Sequence, residues 1–142
     1  MSTDLSNAAI PGFFRRLGAI LYDLLLLTAL IFVATAALTL PFGSPDHGWL
    51  VVFQIIIFEI IPLLFFTGFW VGGGQTLGMR AWRLKVVRLD GADLSWSDAL
   101  KRHLSALLSV YLLGLGFLWI LVDPDKMAWH DRISKTRLVI VK

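Results

Sequence analysis

The chain has 142 residues, of which 57% are hydrophobic and 16% are charged, with a formal net charge of +3 and no cysteine. A soluble domain of this length could not bury so much apolar surface, so the composition predicts one integral membrane domain over residues 1–142. The missing cysteines exclude disulfide scaffolds and thiolate chemistry, and the Lys and Arg residues form no basic face with interleaved aromatic residues, which argues against nucleic-acid binding.

The first two of three apolar runs are long enough to cross a membrane. Residues 17–40 contain Asp23 as their only charge, and residues 49–71 contain Glu59 as their only charge. Both runs exceed the roughly 20 residues that a helix needs to cross a bilayer. Ala34-Thr35-Ala36 resembles a signal-peptide cleavage site, but the acidic residue and the length of the run favour an uncleaved helix.

The positions of Lys and Arg predict the orientation of these two helices. The segment before the first run contains two such residues, the connection between the two runs contains none, and residues 72–103 contain six. Cytoplasmic connections are enriched in positive charge. We therefore expect the amino terminus and residues 72–103 to be cytoplasmic.

The third apolar run, residues 104–122, is the shortest and is interrupted by Gly114-Leu115-Gly116. One crossing here would place a positively charged tail outside, against the usual charge distribution. Residues 84–89 and 136–141 are each predicted to form a strand, and these strands can pair only if both lie on the same side of the membrane. The pattern therefore favours a re-entrant hairpin or two short helices over a third crossing.

The predicted fold is thus an all-α integral membrane protein with two transmembrane helices, a third apolar segment and a small cytoplasmic two-stranded β element. Between the first strand and the third apolar run, Ser95 or Ser97 is predicted to cap a helix. The residues that follow are of types that suit a membrane interface: Trp96, Leu100, Lys101 and Arg102.

Two carboxylates lie inside apolar runs and are candidates for function. Asp23 follows Arg16 by seven residues, so both lie on nearly the same helix face, about 10 Å apart along the axis. A charged Asp is costly inside a membrane helix, so we expect a polar partner for it, with Arg16, Arg80 and Arg83 as candidates. Glu59 lies near the middle of its run. Asp23 and Glu59 could line one proton or cation path, and a helix-packing role is the alternative for each.

No motif indicates an enzyme, a cofactor or a metal. Residues 72–78, GGGQTLG, lack the Gly-Lys-Ser/Thr ending of a phosphate-binding loop. The three histidines, His47, His103 and His130, have no ligand spacing among them. We therefore expect a protein without enzymatic activity, cofactor or metal site.

Three motifs in order resemble the RDD family of bacterial membrane proteins. They are Phe13-Phe14-Arg15-Arg16-Leu17 leading to Asp23, the stretch GGGQTLGMRAWRLKVVRLDG, and His130-Asp131-Arg132 before Thr136. The family is named for one arginine and two aspartates, which by position are Arg16, Asp23 and Asp131. The resemblance covers residues 12–141 and implies a multi-pass protein of the bacterial plasma (inner) membrane. The family's function is poorly defined, and some members are proposed to be cation/proton antiporters.

Two functions remain open on this basis. The first is a small transporter or transporter subunit for a proton, a cation or a small ligand, with Asp23 and Glu59 as the binding groups. The second is a non-transporting scaffold or envelope-maintenance protein whose buried charges set helix packing. In either case we expect Arg16, Asp23 and Asp131 to form one polar cluster at the cytoplasmic end. Because so few helices enclose a path poorly, we also expect a homo-oligomer or a membrane-protein partner within the lipid bilayer.

Overall fold

The computed structural model describes residues 8–142, so the predictions that concern residues 1–7 lie outside the described part of the chain. The fold is mostly helical. Within the described residues, two helices are long and apolar enough to span a membrane, Phe13–Phe42 and Leu50–Val71. Both predicted apolar runs are therefore confirmed as long helices, which begin and end within a few residues of the predicted limits.

The first of these helices is α1, Phe13–Phe42, and it buries a single narrow stripe. The stripe consists of Arg16, Ala19, Asp23 and Leu27. These residues are spaced by three or four positions, so they share one face of the helix. The rest of α1 is largely exposed and apolar, as expected of a helix that lies in an apolar medium.

The second long helix is built from three parts. It starts as α2, Leu50–Ile55, continues through a π-helical turn, Ile56–Ile60, and ends as α3, Ile61–Val71. Glu59 lies in the π-helical turn. A π-helical turn is rare and frequently marks a functional position.

The two predicted strands pair with each other. After α3 the chain forms a short helix, α4, Leu77–Ala81, and then β1, Leu84–Arg88. The last element, β2, Thr136–Ile140, runs antiparallel to β1, with Leu84 opposite Ile140 and Arg88 opposite Thr136. The predicted pairing between these distant segments is confirmed.

The helix that follows β1 has an unusual distribution of polar residues. This helix, α5, Trp96–Tyr111, begins at Ser95, whose side chain forms a capping box with Asp98. Its buried face contains Arg102, His103, Ser105 and Ser109, and its exposed face contains Leu100, Leu104, Leu108 and Val110. A helix in water would have the reverse pattern, so α5 suits an apolar environment. The Ser95 cap is as predicted, whereas Arg102 is buried and does not lie on the exposed interface face.

The third apolar run is broken at its glycines. At Gly114, which has a left-handed backbone with φ of 74°, the chain bends by 104° between α5 and the following helical segment. That segment consists of α6, Leu115–Leu118, and a 3₁₀ turn, Trp119–Leu121. The Tyr111 hydroxyl at the end of α5 donates to Glu59 Oε1 over 3.1 Å. Because Glu59 lies near the middle of Leu50–Val71, α5 reaches only half way along that helix before the chain turns back.

The chain then returns through α7, Trp129–Ile133, which packs against α5 and leads into β2. The buried apolar core lies at this end of the molecule, between the sheet, α4 and the start of α5. Its main members are Ala19, Trp70, Met79, Leu84, Val86, Leu94, Ala99 and Leu138. The strands and short helices therefore form a packed base from which the long helices extend.

Candidate functional site

A buried aspartate with two arginines connects four elements of the base. Asp131 is fully buried in α7, and its Oδ2 accepts a hydrogen bond from Arg16 Nη1 of α1 over 2.9 Å. Its Oδ1 accepts from Arg102 Nη1 of α5 over 2.5 Å. The same nitrogen of Arg102 is 2.8 Å from Thr136 Oγ1 of β2. We call Arg16, Arg102, Asp131 and Thr136 the Asp131 cluster.

Backbone groups complete the hydrogen bonding of this cluster. Arg16 donates from Nε to the Pro11 carbonyl over 3.3 Å and from Nη2 to the Lys126 carbonyl over 2.6 Å. Asp131 Oδ2 also accepts the Ala128 N–H over 3.0 Å, at the start of α7. Both carboxylate oxygens of Asp131 are thus occupied. The arrangement holds α1, α5, α7 and β2 together.

The electrostatics favour a permanently charged Asp131. Burial alone would raise the pKa of this carboxyl group, but the charges of Arg102 and Arg16 outweigh burial and hold the pKa well below its usual range. The neighbouring His130 is instead held in its neutral form, because burial and the Arg102 charge lower its pKa to about 4. At neutral pH the region therefore contains two arginines, one carboxylate and a neutral imidazole.

Asp23 lies in a separate site that fastens α4 to α1. Its Oδ1 accepts the Gly78 N–H over 2.8 Å, and its Oδ2 accepts a hydrogen bond from the Thr76 hydroxyl. Thr76 Oγ1 in turn accepts the Met79 N–H over 3.2 Å and so caps α4. Gly78 is required here, because a Cβ at this position would lie 2.3 Å from the Ala19 carbonyl oxygen.

The predicted single cluster of three family residues is therefore divided into two. Arg16 bonds Asp131 and two backbone carbonyls, so its guanidinium is directed away from Asp23. Within residues 8–142, Arg80 and Arg83 form no side-chain hydrogen bond with Asp23. The expected arginine partner for Asp23 was wrong, since a hydroxyl and a backbone N–H from the Gly-rich segment satisfy this carboxylate instead.

A third polar site lies in the π-helical turn of the second long helix. Glu59 is half-buried and accepts its hydrogen bond from Tyr111, and the structure gives it no second hydrogen bond within residues 8–142. The charge of Glu59 would attract a protonated His103 of α5. We call Glu59, His103 and Tyr111 the Glu59 site. In contrast to the two aspartates, Glu59 has one carboxylate oxygen without a hydrogen-bond partner among residues 8–142.

The Glu59 site, the Asp131 cluster and Trp70 each contribute a buried nitrogen without a protein partner among the described residues. His103 Nε2, Trp70 Nε1 and Arg102 Nε have no hydrogen-bond partner in the part of the chain that the structure describes. Phe66 connects them, since its ring centroid is 6.0 Å from that of His103 and 5.5 Å from that of Trp70. The Arg102 guanidinium carbon is 5.2 Å from the centroid of Trp70.

Sequence reasoning did not identify several residues of these sites as functional candidates, namely Arg102, His103, Thr76, Gly78 and Tyr111. A signal for Arg102 exists in the spacing of polar residues in α5, because Arg102, Ser105 and Ser109 recur every three or four positions. No comparable local pattern identifies Thr76 or Gly78 as partners of Asp23. Within residues 8–142, no group of three or more His, Asp or Glu side chains could hold a metal ion.

The comparisons with known proteins agree with the resemblance seen in the motifs. The model of the RDD family matches residues 10–135. The uncharacterized protein YxaI of Bacillus subtilis (strain 168) is 29% identical over 126 residues, which cover 83% of this chain and 82% of that protein. No solved structure matches the chain.

Proposed function

Because this chain belongs to the RDD family and has two helices long enough to span a membrane, we propose that it moves a proton or another cation across the bacterial plasma membrane, alone or as a transporter subunit. One observation carries this proposal. Glu59 lies in the π-helical turn near the middle of the second long helix, with a single hydrogen bond from Tyr111. We assign the protein no enzymatic activity and no cofactor.

The proposed topology has two full crossings and a re-entrant hairpin, with the amino terminus and the sheet in the cytoplasm. Two contacts support it. Tyr111 meets Glu59 half way along the second long helix, so α5 would reach the middle of the bilayer and turn back at Gly114. The pairing of β1 with β2 requires that the chain leave the membrane on the side where it entered.

The chemistry of Glu59 suits reversible binding. A charged carboxylate near the middle of a bilayer is costly, and a proton or a cation removes that cost by neutralising the charge. The Tyr111 hydroxyl stabilises the carboxylate while it is empty.

The hydrogen bonds of Asp23 argue against this residue as a second transport carboxylate. Both of its oxygens accept hydrogen bonds, from the Thr76 hydroxyl and the Gly78 N–H. A proton or cation that bound there would have to displace contacts that fasten α4 to α1. We therefore assign the binding role to Glu59 and a structural role to Asp23.

A non-transporting scaffold is the second candidate, and the Asp131 cluster favours it. A buried network that joins α1, α5, α7 and β2 makes the base rigid, which suits a protein that holds other membrane proteins in place. Such a scaffold would also lie in the lipid bilayer with a second copy or another membrane protein. The two candidates differ in whether Glu59 exchanges its proton.

Reconstituted liposomes that contain a pH-sensitive dye would test the proposal. We expect the purified protein to carry protons, in the presence of a monovalent cation gradient, at a rate above that of empty liposomes. Glu59→Gln should reduce the rate to that of empty liposomes, and Glu59→Asp should retain part of it. Asp46→Asn in the exposed loop between the two long helices is the matched control. Equal rates for the protein and Glu59→Gln would contradict the transport role of this residue.

A further inference from the structure

We propose that the interface between α3 and α5 contains a hydrated path that connects Glu59 with the Asp131 cluster, and that His103 passes protons along it. The existence of the path is independent of transport, whereas the role of His103 rests on the proposed function. The path would connect Glu59 with the packed base without a large movement of the long helices.

The first argument is the concentration of unsatisfied polar atoms. His103, Trp70 and Arg102 are 4%, 8% and 3% exposed, and each has one buried nitrogen without a protein partner in the described chain. A buried polar group that lacks a hydrogen bond costs about 1–3 kcal/mol. Buried groups of this kind are normally satisfied by ordered water. Three of them in one interface therefore indicate hydration of that interface.

The second argument is their order along the molecule. A protonated His103 would be attracted by the charge of Glu59, and the Phe66 ring lies against the rings of both His103 and Trp70. Arg102 lies against Trp70 and donates to Asp131. The unsatisfied nitrogens thus begin at His103, which belongs to the Glu59 site, and end at Arg102, which belongs to the Asp131 cluster.

The residue chemistry assigns the relay step to His103. Arginine stays protonated in proteins and the indole N–H is only a donor, so Arg102 and Trp70 can orient water but cannot exchange protons. The neutral imidazole of His103 can accept at Nε2 the proton that Glu59 gives up, so that Glu59 becomes a carboxylate. His103 can then release this proton to water and return to its neutral form. Among the charged groups of the described residues, Glu59 from the π-helical turn acts on His103, and Arg102 is its neighbour in sequence.

The absence of cysteine from the natural chain permits a direct test of hydration. Ala106 lies three residues after His103 and four after Arg102, so it shares their helix face, and Leu104 is 55% exposed at the same depth on another face. Ala106→Cys and Leu104→Cys would each be treated in liposomes with a membrane-impermeant methanethiosulfonate. A thiol ionises to the reactive thiolate only where water reaches it. We therefore expect Ala106→Cys to react at least about tenfold faster than Leu104→Cys. Equal, slow labelling of both would show a dry interface and overturn the path.

A second probe and a functional variant make the outcomes distinct. Leu107→Cys, four residues after His103, replaces Ala106→Cys if that variant does not fold, with the same expected result. His103→Gln should slow proton flux while the cysteines stay reactive, and an unchanged flux would remove His103 from the relay. Reactive cysteines in a protein without Glu59-dependent flux would contradict the proposed function but not the path. Glu59-dependent flux with unreactive cysteines would contradict the path alone.

Discussion

Asp131, which is fully buried, and Glu59, which is half-buried, are both acidic residues, yet they differ in the number of hydrogen bonds that they accept. Asp131 accepts hydrogen bonds from Arg16, Arg102 and the Ala128 N–H, whereas Glu59 accepts one from Tyr111. A carboxylate that accepts several hydrogen bonds is fixed in position, because protonation or displacement would break several of these bonds at once. Glu59, with its single hydrogen bond, has fewer contacts to lose if its surroundings change. The contrast separates a carboxylate that holds this fold together from the one to which we assign the binding role.

The largest expected effect comes from removing the charge of Asp131. Asp131→Asn leaves Arg16 and Arg102 buried without a counter-charge, which should lower the free energy of unfolding by about 3–5 kcal/mol. Asp125→Asn is the control, since Asp125 is mostly exposed and pairs only at the surface with Arg132. Unfolding in mixed micelles of rising denaturing-detergent fraction measures both. Similar losses for the two variants would contradict the structural role of the Asp131 cluster.

A second effect concerns the close contact between α4 and α1. In Gly78→Ala the added Cβ would lie 2.3 Å from the Ala19 carbonyl oxygen and 2.8 Å from the Asp23 carboxyl carbon, so α4 must move away from α1. We expect a loss of about 3 kcal/mol in the same unfolding assay. Gly68→Ala has open space at its Cβ and should be neutral or stabilising by up to about 1 kcal/mol. Equal stability of the two variants would show that Asp23 does not fasten α4.

A smaller effect is a dependence of stability on pH that comes from His130. Its pKa is about 4 in the folded protein, against an unperturbed value of 6.5. Below pH 6.5 the unfolded chain therefore binds a proton that the folded protein excludes, and stability falls as the pH falls. Between pH 7 and pH 5 this group should cost about 2 kcal/mol. His130→Gln should reduce the slope of unfolding free energy against pH, and an unchanged slope would contradict burial of a neutral His130.

Much of the framework could be predicted because it depends on local composition. The two long helices follow from apolar runs with one charged residue each, and the break at Gly114 follows from the backbone freedom of glycine. The pairing of β1 with β2 required one further argument, the side of the membrane on which each strand must lie. The helices and the break depend on residues that are close together in sequence. The strand pairing depends on a single condition, that both strands lie on the same side of the membrane.

The partners of the carboxylates could be predicted only in part. Arg16 and Asp131 were identified through family motifs, but the second arginine of the cluster, Arg102, was assigned to an exposed interface. The reason is that the direction of its side chain depends on which face of α5 packs against α7. The Gly78 N–H that binds Asp23 is a backbone group 55 residues away in sequence, and a backbone group carries no signal in the sequence.

The most direct test of the contrast compares Glu59→Gln with Asp23→Asn in the same liposomes, with flux and stability measured on each preparation. The account predicts that Glu59→Gln unfolds like the natural protein and carries no protons above the rate of empty liposomes. Asp23→Asn should be less stable by about 1–3 kcal/mol, because the Thr76 and Gly78 contacts are weakened, while its folded fraction still carries protons. Proton flux that survives in Glu59→Gln but disappears in fully folded Asp23→Asn would contradict the account.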